Sequence, residues 1–152
     1  MINLWKQEYL LDLDTIDEQH QRFFDFCGEL VQLAERAPTN DKGIQQTIKT
    51  LGAMRAYAFL HFKTEEELML KFSFPGYLKH TGFHNSYLQK MMAFENEFKA
   101  LLLKMKEDAP VEDEMKSFLL DMSEYIANWW GTHIVKQDTA YAKHIKERKP
   151  SI

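Results

Sequence analysis

The chain of 152 residues has one cysteine, Cys27. It can form no internal disulfide, and there is no cysteine cluster for structural zinc or an iron–sulfur centre. Positive charge is not in excess: the formal net charge is −4, which leaves no basic footprint for nucleic acid. No uncharged stretch approaches transmembrane length. The first thirteen residues alternate polar and apolar and lack the long apolar run of a signal peptide. Strand patterns, internal repeats and low-complexity segments are also missing. These absences point to a soluble cytoplasmic protein with no nucleic-acid or membrane partner, read here as a monomer.

What is present is apolar and aromatic. Hydrophobic residues make up 45% of the chain and eleven are Phe, enough for one well-packed domain. Apolar residues recur at the helical period in four segments. The first segment starts near Asp14 or Thr15, either of which can cap a helix, and its stripe runs Ile16, His20, Phe23, Phe24, Cys27, Leu30, Val31 and Ala34. The second covers about 44 to 71, the third 77 to 106 and the fourth 111 to 145. The breaks between them are the run 37–43, Phe74-Pro75-Gly76 and Glu107-Asp108-Ala109-Pro110. Short connections between long helices predict an all-α, antiparallel, up-down-up-down four-helix bundle over 15–145. Residues 1–14 read as an extended arm whose Trp5, Tyr9, Leu11 and Leu13 lie against the bundle. Residues 146–152 read as a mobile tail.

The apolar stripes carry residues that do not belong in a plain core. His61 and Glu65 stand one helical turn apart, as do His80 and His84. His20 lies in the first stripe, and His133 and Asp138 in the fourth. An unpaired carboxylate in a core is costly, so Glu65 needs a proton, a partner or a metal. Counting from the turns puts these residues at matching depths. His20 and His61 are each about 20 positions from the first turn, and Glu65 and His84 about 9 or 10 from the second. His84 and His133 are about 24 or 25 from the third, and His80 and Asp138 about 29. Five imidazoles and two carboxylates thus converge from four helices. They are too many for one ion and suit a dinuclear centre with bridging carboxylates. Imidazole and carboxylate suit iron, with manganese or zinc also possible. His133 and Asp138 are five apart, about 140° around an ideal helix, so either the helix is locally unwound, as by a π-bulge, or Asp138 reaches in obliquely, and irregular geometry is predicted there. Glu66 and Glu67 read as solvated, and His144 as a surface histidine.

The segments Ile16-Asp17-Glu18-Gln19-His20, His61-Phe62-x-x-Glu65-Glu66-x-Leu68-Met69, His80-x-x-x-His84 and Trp129-x-x-x-His133-Ile134-x-x-x-Asp138 resemble the hemerythrin family, and its single-domain bacterial members most. The resemblance covers nearly the whole chain and fills all seven ligand positions. It implies two irons with an oxo or hydroxo bridge. His80, His84 and His133 would bind one, His20 and His61 the other, and Glu65 and Asp138 both. It implies reversible dioxygen binding, for storage or for delivery to an oxygen-requiring enzyme, and not catalysis. Two alternatives stay open: an oxygen or redox sensor acting through a partner, and an enzyme turning over peroxide or nitric oxide, with Tyr87 or Trp130 near the site. Phe24, Phe62, Trp129, Trp130 and Ile134 would keep the pocket dry. Two positions depart from the family pattern. Gly131 stands where a bulkier aliphatic residue is expected, which predicts a channel or an enlarged pocket. Asp12 stands where glycine is common before the first helix.

Overall fold

The computed structural model describes residues 4–36 and 38–148. Among these there is no strand. Four long helical rods run α1 (Asp14–Glu35), α2 (Asp41–Lys71), α3 (Tyr77–Lys106) and a composite rod. The composite is α4 (Glu112–His133), a π-helical turn (Ile134–Asp138) and α5 (Thr139–Arg148), without a break in direction of bonding. Each rod packs against its chain neighbours, and α1 also packs along α4, which closes the ring. The bundle is therefore up-down-up-down, as short connections require.

The ends of the rods follow local chemistry. Neither Asp14 nor Thr15 caps α1. Leu13 is the N-cap, and the Asp17 carboxylate reaches back to accept from Leu13 N (3.2 Å) and Leu11 N (2.8 Å). That resembles half of a capping box and fixes the arm to the helix start. Asn40 caps α2 by accepting from Gly43 N at 2.7 Å, so the helix starts three residues earlier than the apolar stripe suggests. α2 and α3 end with left-handed Ser73 (φ 53°) and Asp108 (φ 59°), and the following amides close back five residues, Phe74 N to Met69 O and Ala109 N to Lys104 O. Asp12 has φ 59°, which explains why glycine would be at ease there.

The core follows the stripes. Phe23, Cys27 and Leu30 of α1 meet Met115, Leu119, Met122 and Ile126 of α4, all essentially inaccessible. Ser123 Oγ donates to Cys27 O at 2.9 Å across this seam. Burial pushes the Cys27 thiol up to about 12. Each such apolar side chain contributes roughly 1.5–3 kcal/mol through burial.

The described part of the arm lies against this core, and residues 1–3 lie outside the described residues. It contains one short 3₁₀ turn (Gln7–Tyr9), with Tyr9 and Leu11 buried and Leu4, Trp5 and Leu13 partly so. At the other terminus, helix continues through Lys146 to Arg148, where the sequence had suggested the tail begins. The remainder of that tail, 149–152, lies outside the described residues.

Candidate metal centre

The seven residues singled out in the sequence meet. Each is at most 3% exposed. They form two adjoining groups, His80–His84–His133–Asp138 and His20–His61–Glu65, and the ligand-type atoms in each lie within 4.8 Å of one another. Asp138 spans the two. Its Oδ1 is 2.9 Å from His133 Nε2 and 3.0 Å from His80 Nε2, while its Oδ2 is 3.1 Å from His20 Nε2. Glu65 also faces both groups. Its Oε1 contacts His61 Nε2 and is 3.9 Å from His20 and His84, and its Oε2 is 3.9 Å from His80.

The π-turn makes this possible. An α-helix would carry Asp138 well round from His133. A turn with i→i+5 bonding takes in one more residue and returns Asp138 to the same side.

None of these short approaches is a hydrogen bond. The Nε2 atoms of all five histidines and all four oxygens of Glu65 and Asp138 are buried and have no hydrogen-bond partner. Their outward sides show why. His61 Nδ1 pairs with Gln19 Oε1 at 2.7 Å, His84 Nδ1 with Glu66 Oε2 at 3.0 Å, and His133 Nδ1 with Gln137 Oε1 at 2.8 Å. Since these partner oxygens accept, Nδ1 must carry the hydrogen, and Nε2 turns a lone pair inward. At His133 the lone pair then faces Asp138 Oδ1 at 2.9 Å, and at His61 it faces Glu65 Oε1, acceptor against acceptor, inside a core. Such an arrangement is unfavourable unless a positive charge lies between. Two donors on one octahedral ion with bonds of roughly 2.1 Å stand about 3.0 Å apart. The donor set therefore fits metal ions.

The electrostatics agree. Burial takes the His84 imidazole down to about 3 against the pull of Glu65, and lowers His61 as well. Both are neutral ligands at pH 7. Burial also acts to lower His20, but Asp138 and Glu65 outweigh it and hold it up at about 9.

Aromatic rings wall the site. Phe62 stacks on His84 (3.9 Å between centroids) and Trp129 on His133 (4.5 Å). Trp130 packs near His20 and His61, backed by Phe23 at 3.9 Å. Ile134 is fully buried beside them. Phe24 has a different role from the one read in sequence, since its ring partners are Trp5 and Tyr9 of the arm. Phe23 and Tyr141, whose ring lies 5.4 Å from His80, were not foreseen. The Tyr87 hydroxyl and the Trp130 indole N–H are both buried without a hydrogen-bond partner.

Three sequence expectations need correction. Glu66 is not a free solvated carboxylate, because it holds His84. His144 is buried, and its Nε2–H donates to Phe72 O at 2.7 Å. Gly131 does not open a channel. A Cβ built there would come within 2.6 Å of Tyr9 Oη, so the space is already filled by the arm. Gln19, Glu66 and Gln137 were missed as orienting residues. The His133–Gln137 spacing of one helical turn was the legible signal for one of them.

Comparison with known proteins places the chain in a family. The profile of the hemerythrin HHE cation binding domain matches residues 11–145. The bacteriohemerythrin of Clostridium acetobutylicum is 22% identical over 138 residues, spanning 91% of this chain and 97% of that protein. The bacteriohemerythrin of Stenotrophomonas maltophilia is 25% identical over 145 residues, 94% of this chain and 81% of the relative. That of Methylococcus capsulatus is 23% identical over 134 residues, 88% of each. A bundle with a buried histidine–carboxylate cluster, matched by this profile over most of its length, belongs to the hemerythrin family and carries its cation-binding domain.

Proposed function

We propose that this protein binds dioxygen reversibly at a dinuclear iron centre, for storage or delivery. The observation that carries the reading is the convergence of five unpartnered imidazole nitrogens and four unpartnered carboxylate oxygens in one buried pocket. His80, His84 and His133 would hold one iron, His20 and His61 the other, and Glu65 and Asp138 both. When bound, the pair of irons supplies the two electrons that dioxygen takes up and gives back. The chain does the rest. The His20–His61 side offers one imidazole fewer, which leaves room there for a small exogenous ligand. Gln19, Glu66 and Gln137 fix the rings so that little rearrangement accompanies ligand exchange. Phe23, Phe62 and Trp130 pack around the imidazoles and would keep water away from the bound ions.

This is binding rather than turnover, and dioxygen is the partner, with an oxygen-requiring enzyme as its recipient. The same reading has the protein acting as a cytoplasmic monomer. No helix among the described residues is long and apolar enough to cross a membrane.

The test is a spectrum recorded through cycles of air and argon on the reduced, iron-loaded protein, with iron counted per chain. A charge-transfer band that comes with air and goes with argon over several cycles supports the proposal. One-way oxidation argues for sensing or peroxide chemistry. Binding of a single iron removes the dinuclear reading altogether.

A further inference from the structure

Gly131 is buried on α4, one residue after Trp130 and two before His133. Trp130 packs against both His20 and His61, so the α4 backbone at this point is the outer wall of the two-histidine side. With no side chain at Gly131, that wall has a notch. Its occupant comes from more than a hundred residues away. The Tyr9 hydroxyl lies where a Cβ would be, at 2.6 Å, with Cζ at 3.2 Å. The Tyr9 ring stacks on Phe24, one turn beyond His20, at 5.1 Å, and Trp5 meets both rings edge-on. Outside lies a surface groove of about 310 Å³ lined by Lys6, Tyr9, Asn128, Gly131, Thr132 and Lys136. Tyr9 and Gly131 both line it, and Trp130 is the chain neighbour of Gly131 on α4.

We infer that Tyr9, seated in the Gly131 notch, is the residue that sets access to the two-histidine side of the site from this groove. The inference rests on the metal-centre reading for its functional half only. The seating of the arm is independent of metal. It also has a chemical logic. A wall made by one helix alone cannot open without unfolding that helix. A wall completed by a short 3₁₀ segment can open by lifting that segment, at the cost of the Phe24 stack and the buried phenol.

The geometry specifies its own test. Gly131→Ala puts a methyl group 2.6 Å from the Tyr9 hydroxyl, so Tyr9 must shift outward from its seat. In a helix interior the same change otherwise favours the fold, so general unfolding is not its expected result. Tyr9→Phe removes the clashing oxygen. The double variant leaves only the tight 3.2 Å approach to the ring and should reseat. Two readouts separate the parts. The first is trypsin cleavage after exposed Lys6, followed by the mass of the shortened chain, in metal-free and in iron-loaded protein. The second is the rate at which a small chelator removes iron from the loaded protein.

Gly131→Ala should speed both by about tenfold, the scale of one lost aromatic seat. The double variant should recover most of each, and Tyr9→Ala should act like Gly131→Ala with α4 untouched. Unchanged cleavage in Gly131→Ala would overturn the seat. Faster cleavage with an unchanged chelation rate would overturn its control of access. If two irons do not bind at all, the dioxygen reading fails, while cleavage of the metal-free variants still decides whether the arm is seated as inferred.

Discussion

His133 and His144 lie eleven residues apart on one composite rod, and both are buried. Their surroundings differ in kind. His144 sits in a small satellite cluster under Phe72 and Phe74, and its Nε2–H is satisfied by a backbone carbonyl. His133 has its Nδ1 satisfied by Gln137 and its Nε2 aimed at Asp138 with nothing to bond. One region buries a polar group to complete packing. The other buries polar groups to hold them ready. Burial and residue type do not separate the two cases. The unpaired nitrogen does.

The largest break of that contrast comes from the spanning carboxylate. Asp138→Ala should abolish loading of both proposed irons, whereas His144→Ala should leave iron per chain unchanged; elemental analysis after desalting reads both. Losing one partner from a buried charged cluster also costs about 3–5 kcal/mol, so thermal unfolding after incubation with iron should show a larger drop for Asp138→Ala than for His144→Ala. Full iron in Asp138→Ala would make the two regions alike.

The next effect lies one shell out. Gln19→Leu removes the acceptor that orients His61 and should weaken iron retention by about 10–100-fold. Competition with a chelator measures it, and release should be selective for one of two irons. An unchanged retention curve would mean that packing by Phe23 and Trp130 already fixes the ring.

His144→Ala sharpens the comparison from the other side. It strands the Phe72 carbonyl and should cost about 1–3 kcal/mol in a urea titration, with spectrum and iron count intact. Cys27 gives the smallest effect. Burial holds its thiol at about 12, so a disulfide reagent at neutral pH should label the native protein hardly at all and the unfolded protein fully. Rapid native labelling would show that the α1–α4 core opens.

Much of this was legible in sequence because helices are periodic. The stripe holding Ile16, His20, Phe23 and Cys27 gives both the buried face of α1 and the direction of His20. Equal distances from the turns placed His84 beside Glu65 and His133 without any knowledge of packing. The five-residue step from His133 to Asp138 pointed to irregular helix geometry, since an ideal α-helix would set the two about 140° apart. What failed was of another kind. Glu66 looked solvated because it adjoins Glu67, but only the crossing of α2 and α3 brings it to His84. His144 looked peripheral because it lies past the ligands, and only the loop after α2 supplies the carbonyl that buries it.

Gly131 shows the division most clearly. Its place two residues before His133, set beside the family resemblance, marked a helix wall near the site that lacks a side chain. Whether the gap is a channel or a socket depended on what lies across it. That answer came from Tyr9, a residue joined to Gly131 by no local rule, because the chain must first fold α1 against α4 before the arm has a surface to seat on. Sequence by itself determined the four helices, the seven inward-facing histidines and carboxylates and the irregular turn, since each is a matter of spacing along one rod. Only the tertiary structure decided which hydrogen bonds turn the imidazoles, which histidine is merely packed, and what closes the wall, since each depends on groups from different rods meeting in space.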